Sequence, residues 1–327
     1  MNTPGRTLSV VVPVFDNEAS LGPLFEQIRV VESRLAEMGL ALELIFVDDG
    51  SQDNSFAEIL RIRDRRPETK VVKLTRNFGE HLASKAGLRL VTGECFAILA
   101  ADLQDPPDLL VECAARWRAG AKFVICERMS REDSAASKAF SALYYTILRA
   151  IVVPDYPRGG YDLALMDRAL QPYLVTSSKL APIPLLAYSL GFTPEVIKYH
   201  RERRIQGRSR WTLRKRLNAF LDVMLGFSAT PIRLVSGIGV IVAALSFLFG
   251  IVTIVETLNR GVFAPGWASI VSLTSFLLGV VIAMLGIIGE YLWRILDEIN
   301  KRPDVVIDEM LDGRSHPSAP GESTSAS

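Results

Sequence analysis

Between Leu8 and Glu127, short apolar runs alternate with stretches of helical period. The runs Ser9–Val14, Leu42–Val47, Lys70–Leu74, Cys95–Ala100 and Lys122–Cys126 are mostly apolar rather than strictly alternating, as expected of parallel strands buried on both faces. Ala19–Met38, Ser55–Asp64, His81–Val91 and Asp108–Arg118 lie between or beside them and are expected to be helices. The strand–helix repetition predicts an α/β domain with a mostly parallel sheet and helices on both faces. Phe140–Val152 is expected to be a further helix, Gly159-Gly160-Tyr161-Asp162 a tight turn presenting Asp162, and Val196–His200 a closing strand. No G-x-G-x-x-G follows the first strand, where Pro13-Val14-Phe15-Asp16-Asn17-Glu18 stands instead, so a dehydrogenase-type dinucleotide site is not expected.

The second half changes in kind. Leu234–Val255 and Ile270–Leu292 each hold about 22 residues with almost no charge, long enough to span a bilayer. Basic residues flank the pair on both sides, with Arg201 to Arg216 and Arg233 before it and Arg294, Lys301 and Arg302 after it. The link Glu256–Trp267 carries only Glu256 and Arg260. The positive-inside rule therefore puts both flanks in the cytoplasm. Thr212–Phe227 gathers Leu213, Leu217, Phe220, Leu221 and Met224 on one stripe. A surface helix packed on the domain would do the same, but the span that follows favours a helix lying in the membrane interface. Pro303–Ile307 is a candidate edge strand, and the Ser-, Pro- and Gly-rich tail is expected to be disordered from about residue 313. The expected division is residues 1–208 as a cytoplasmic α/β domain, 209–232 as the juxtamembrane helix, 233–293 as a two-helix transmembrane hairpin and 294–327 as a cytoplasmic tail.

Composition adds little to this. With 37 basic and 36 acidic residues in 327, the balance of charge does not point to nucleic acid. Cys95, Cys113 and Cys126 form no CxxC pair and read as buried reduced thiols. The run Leu8–Phe15 is too short for a secretion signal and reads as the first strand.

The chemistry gathers at strand ends, where α/β sheets bind ligands. The fourth apolar run breaks into Asp102-Leu103-Gln104-Asp105-Pro106-Pro107, so Asp102 and Gln104, two apart, can face one Mg²⁺ or Mn²⁺. A capped strand-to-helix turn would look the same. Val47-Asp48-Asp49-Gly50-Ser51 ends the second strand with carboxylates suited to a ribose or an imide, and Arg76-Asn77-Phe78-Gly79 follows the third. Glu127-Arg128-Met129-Ser130-Arg131 follows the fifth and offers two guanidiniums suited to phosphate; Arg208 and Arg210 open the interfacial helix and could meet a lipid phosphate. His81, at a helix start, reads as structural.

Together, Val-Val-Val-Pro-Val-Phe at 10–15, Val-Asp-Asp-Gly-Ser at 47–51, Arg-Asn-Phe-Gly at 76–79, Asp-Leu-Gln-Asp-Pro-Pro at 102–107 and Arg-x-x-Gly-x-Ser-x-Trp at 204–211 resemble the polyprenyl-phosphate glycosyltransferases of glycosyltransferase family 2. The resemblance covers roughly residues 8 to 300. It implies a GT-A fold and the partners of such an enzyme: a nucleotide-sugar donor (a UDP-sugar is expected), a divalent cation, a polyprenyl-phosphate acceptor (undecaprenyl phosphate) and the bacterial inner membrane, with homo-oligomerisation left open. Carried over residue by residue, Pro13, Phe15, Glu18, Asp48, Asp49 and Asp102 would hold the nucleotide, and Asp102 and Gln104 the metal. Arg128 and Arg131, with Arg208 and Arg210, would meet the acceptor phosphate. Asp162 would lie beside the reacting centre, so that Asp102, Asp162, Arg128 and Arg131 form the catalytic set. One position departs from the family's Asp-Ala-Asp-Leu-Gln-Asp: its first acid is Ala100 here. That shifts weight onto Gln104, Asp105 and the donor's own phosphates, and it keeps open a catalytically inactive scaffold that binds nucleotide or lipid. A processive polysaccharide synthase is a further alternative, although its Gln-x-x-Arg-Trp is spaced differently from Gln206 and Arg210-Trp211.

Overall fold

A computed structural model describes residues 6–129, 145–150, 153–157, 160–178, 182–199, 230–260, 266–300 and 303–313. The chain divides into two compact units, Met1–Thr212 with Pro303–Ser327, and Leu213–Arg302.

The first unit is α/β. Its strands are β1 (Arg6–Val14), β2 (Leu40–Asp48), β3 (Lys70–Leu74), β4 (Cys95–Ile98), β5 (Phe123–Arg128), β6 (Tyr161–Asp167), β7 (Glu195–Tyr199) and β8 (Ile307–Leu311). They form one sheet in the order β7-β5-β6-β4-β1-β2-β3-β8. β1 pairs in parallel with β2 and β4, β2 with β3, and β5 with β7, whereas β6 and β8 run antiparallel to their neighbours. The sheet is therefore mostly parallel, as the pattern predicts. Helices α1 (Glu18–Glu37), α2 (Ser55–Arg65), α3 (Glu80–Leu88) and α4 (Leu109–Arg118) complete the repeats.

One face of the sheet buries Leu8, Val10, Val12, Leu44, Phe46, Cys95, Ala97 and Val124 under α1, α2 and α4, which contribute Leu24, Phe25, Ile59, Leu110 and Cys113. The opposite face carries Val11 and Val47, and α3 approaches it so closely that Gly87 stands against both side chains. Helices on both faces explain why the strands read as mostly apolar runs. The three cysteines are free and buried, with Cys113 Sγ 3.5 Å from Cys126 Sγ.

Three expectations need correction. Tyr161-Asp162 opens a strand rather than sitting on a turn. β6 is buried at nearly every position, which removes the alternation that marks a strand, and it inserts between β4 and β5. β5 runs on through Arg128, so that residue ends a strand instead of following one. The edge strand expected at Pro303–Ile307 lies later, at Ile307–Leu311, paired with β3. Short helices at Gln171–Thr176 and Ile183–Ser189 were not legible in the pattern. Of the helix expected at Phe140–Val152, residues 145–150 are described and are helical. The stripe Thr212–Phe227 lies outside the described residues.

The second unit contains two long helices, Thr230–Arg260 and Trp267–Ile299. They pack on each other, with Gly239 against Met284. Large apolar side chains stand exposed along both, among them Val240, Phe247, Phe276, Leu285 and Leu292. Among the described residues one stretch, Phe276–Trp293, is long and apolar enough to cross a membrane, and the other helix holds a shorter apolar stretch, Gly237–Phe249.

Candidate functional site

The parallel strands deliver their C-terminal ends to one edge of the sheet. β1 and β2 end side by side, with Val14 opposite Asp48, and the Asp49 amide donates to the Val14 carbonyl at 2.8 Å. The loops beyond them are tied by reciprocal bonds. Asp16 N donates to Ser51 Oγ (3.0 Å), Gln52 N to Asp16 Oδ1 (2.8 Å), Asn17 N to Ser55 Oγ (2.7 Å) and Glu18 N to Asp53 Oδ2 (3.2 Å). Glu18 answers by accepting from Asn54 N and Nδ2 at 3.3 and 3.1 Å. Asp16, with φ 50°, is the residue that bends the first loop, in a conformation aspartate tolerates better than most.

Asp48 and Asp49 divide their work. Both are buried, and burial raises the pKa of each. Asp49 accepts from the amides of Phe78 (2.7 Å) and Gly79 (2.9 Å), so it shapes the Arg76–Gly79 turn and the start of α3. Asp48 Oδ2 meets Ser51 N at 3.4 Å, while Oδ1 is buried without a partner among the described residues. Gly50 seats the two loops against each other. Its φ is +68°, and a Cβ there would lie 2.5 Å from Arg76 C and 2.8 Å from Asn77 N, backbone atoms that cannot turn aside. Gly50→Ala should therefore cost about 2–4 kcal/mol through left-handed strain and overpacking. Denaturant unfolding of the full chain checks this, and an unchanged midpoint would mean the loops are not in contact.

The Asp102–Pro107 turn follows β4. Leu103 has φ 59°, a strained setting for leucine, yet its side chain is buried in the core. Anchoring Leu103 inward leaves Asp102 and Gln104 half-buried on either side of it. Asp102 Oδ1 accepts from Gln104 N at 3.2 Å, and Ser20 Oγ in α1 donates to Ala101 O at 2.6 Å. Among the described residues no three His, Cys, Asp or Glu side chains gather as a self-contained metal site. One carboxylate with one amide oxygen is instead the donor set of a hard cation that completes its shell with water and substrate phosphates, so Asp102 and Gln104 fit Mg²⁺ or Mn²⁺. Asp105 does not belong to that set. It is buried, and Tyr199 at the end of β7 donates its hydroxyl to Asp105 Oδ1.

Arg128 ends β5 opposite Tyr199. Its side chain is 5% exposed and forks onto Asp162, with Nη1 3.0 Å from Oδ2 and Nη2 3.2 Å from Oδ1. Burial alone would lower the guanidinium pKa; Asp162, Tyr145, Tyr199 and Asp105 outweigh it and raise the value. The register between β5 and β6 shifts between Ile125 and Glu127, close to this pair, as β-bulges near sites commonly do. Arg128 is thus half of a bidentate pair rather than an open phosphate ligand, with Nε buried and unpartnered among the described residues.

Of the other anticipated residues, Pro13 is buried in β1 opposite Val47, and Phe15 is half-buried with its amide on Asn17 Oδ1 at 3.1 Å. His81 Nδ1 accepts from Ile183 N at 3.3 Å, and burial with the nearby Lys85 charge lowers its pKa to about 4. It is a neutral structural imidazole. Arg131, Arg208 and Arg210 lie outside the described residues.

A profile of glycosyl transferase family 2 matches residues 9–169, the stretch carrying Asp48, Asp102, Arg128 and Asp162. Full-length relatives agree. The uncharacterized glycosyltransferase sll0501 of Synechocystis is 32% identical over 93% of this chain and 95% of its own length. The chain belongs to glycosyl transferase family 2. It is an enzyme of the glycosyltransferase class. Other relatives across nearly the whole chain are the uncharacterized glycosyltransferase YkcC of Bacillus subtilis, 31% identical over 92% of this chain and 93% of its own, and a prophage-derived bactoprenol glucosyl transferase of Shigella flexneri, 30% identical over 92% and 97%.

Within this family 2 chain, sequence reasoning missed Tyr199 and misplaced Asp105. Asp105 was visible in the Asp-Leu-Gln-Asp-Pro-Pro stretch, but nothing local marks it as inward-facing. Tyr199 closes a strand whose partner in the network lies 94 positions earlier.

Proposed function

We propose that the protein moves a sugar from a nucleotide sugar, a UDP-sugar, to polyprenyl phosphate such as undecaprenyl phosphate, with inversion at C1, supplying a lipid-linked sugar for cell-envelope glycan modification. The observation that carries this reading is the arrangement at one sheet edge: the oxygen-bearing side chains of Asp102 and Gln104 on a turn tied through Asp105 to Tyr199, whose strand pairs beside the end of the strand bearing Arg128. The relatives named as bactoprenol glucosyl transferases, aligned over nearly the whole chain, support the lipid acceptor. The exposed apolar faces of Thr230–Arg260 and Trp267–Ile299, and the basic flanks around them, support two transmembrane helices with the α/β domain and both termini in the cytoplasm.

The nucleophile is a phosphate oxygen of the acceptor, already anionic at pH 7, so the attack on C1 needs no strong general base. What the site must supply is stabilisation of charge on the departing nucleoside diphosphate and relief of repulsion between two phosphates. Asp102 and Gln104 would hold a divalent cation, which would supply neutralisation of the charge on the leaving diphosphate. Pro13, Phe15 and the zipped loops holding Glu18, Asp48 and Asp49 shape the nucleoside end. Arg128, held by Asp162 with its side chain buried, contributes positive charge toward the acceptor phosphate rather than an open hydrogen-bonding face; the sequence offers Arg131, Arg208 and Arg210 as the cations that would meet that phosphate directly.

Membranes carrying the full chain, supplied with undecaprenyl phosphate, Mg²⁺ and a panel of radiolabelled nucleotide sugars, should form labelled solvent-extractable lipid with one of them. Labelled lipid with none of the panel, from protein verified as folded, would overturn the reading.

A further inference from the structure

We infer that Tyr199 and Asp105 are positioning residues that hold the metal-binding turn in register with Arg128. The inference rests on the sugar-transfer reading above and assigns to that same site a part built from the far edge of the sheet.

Three observations meet here. Tyr199 and Arg128 are register partners at the ends of β7 and β5, and Met129 N donates to Tyr199 O at 3.0 Å, so the backbones beneath both side chains are fixed to each other. The Tyr199 hydroxyl reaches across to Asp105, three residues after Asp102. Between them, Leu103 holds a left-handed backbone. Such a residue stays left-handed only where its surroundings hold it. On one side Asp102 itself grips Gln104 N, and on the other Asp105 is gripped by Tyr199. Both Asp105 and Tyr199 are buried, so this hydrogen bond forms with little competition from water. One phenol thus links the turn bearing Asp102 and Gln104 to the strand bearing Arg128. Groups that act on the departing diphosphate and on the incoming phosphate must keep their separation for transfer to occur. Small misplacements of such groups cost large factors in rate.

The test is Tyr199→Phe in the full chain, alone and combined with Asp105→Asn. Tyr199→Phe should keep the thermal midpoint within a few degrees, lower kcat about 10- to 100-fold, and leave KM for the lipid within about threefold. Affinity for uridine diphosphate in the presence of Mn²⁺, measured by calorimetry, should weaken about 5- to 20-fold, because the turn is no longer pinned. The double variant should be no slower than Asp105→Asn alone, the signature of two residues acting through one contact. Tyr199→Phe with kcat and Mn²⁺-dependent uridine diphosphate affinity both unchanged would overturn the inference. So would a lowered midpoint with neither quantity altered, or two substitutions whose effects multiply. The calorimetric readout needs no turnover, so failure of the sugar-transfer reading is distinguishable: the wild type would bind Mn²⁺ and uridine diphosphate yet form no labelled lipid.

Discussion

Asp102→Ala should abolish sugar transfer, with kcat falling about 10³-fold or more, while the protein remains folded. The side chain is half-buried after the strand end, outside the hydrophobic core, and accepts a hydrogen bond from Gln104 N two residues on. The buried Leu103 side chain and the Tyr199 bond to Asp105 still hold the turn without it. What is lost is the one carboxylate of the proposed two-oxygen donor set. Since Ala100 leaves the site without a second acid, metal and nucleoside diphosphate should each strengthen the other's binding by the same factor. Calorimetry should find weak Mn²⁺ binding to the free wild-type chain, tighter binding once uridine diphosphate is present, and little of either in Asp102→Ala. Ala100→Asp should tighten Mn²⁺ binding without nucleotide. Tight Mn²⁺ binding by the nucleotide-free wild type, or normal turnover in Asp102→Ala, would refute this account of the site.

Much of this arrangement is written locally. The first five strands and four helices carry mostly apolar runs and helical periodicity, because a sheet covered on both faces demands apolar residues at most strand positions. The carboxylates that end β2 and the turn after β4 are visible for the same reason: a buried run must stop where polar groups face the crevice. The remainder depends on pairings between distant segments. β6 has no periodic signature, since its position between β4 and β5 buries both its faces. The Arg128–Asp162 fork follows from that insertion, so a sequence read with Asp162 on a turn leaves Arg128 open to phosphate. The inward turn of Asp105 follows from β7 closing the sheet beside β5. Asp49 looks like a nucleoside ligand in sequence, and only the fold brings Phe78 and Gly79 to both of its oxygens.

Another pairing between distant segments, Lys85 with Asp304, supports the second large effect. Asp304→Ala should destabilise the α/β unit by about 3–5 kcal/mol, because it strands a buried ammonium. Lys85 on α3 is 2% exposed, and its Nζ lies 3.2 Å from Asp304 Oδ2 while also donating to Ser177 O. Arg89 reaches the same oxygen at 3.0 Å from a more exposed position, which makes it the weaker partner. Asp304 begins the return of the chain after the long helices. Two residues on, Val306 O accepts from Thr75 N at 3.0 Å, and β8 then pairs with β3. The clamp therefore acts on α3 and on the end of β3, the two elements that flank the Arg76–Gly79 turn gripped by Asp49. Lys85→Met removes the charge but keeps most of the volume and leaves Asp304 with Arg89, so it should cost less than Asp304→Ala. Lys85→Met combined with Asp304→Ala should recover much of the loss, since no buried charge remains unpaired. Thermal unfolding of the full chain in detergent should show the order directly, with Asp304→Ala lowering the midpoint by about 10 °C. Equal midpoints for the two single variants, or a double variant as unstable as the sum of both, would mean that the pair is not the buried clamp described.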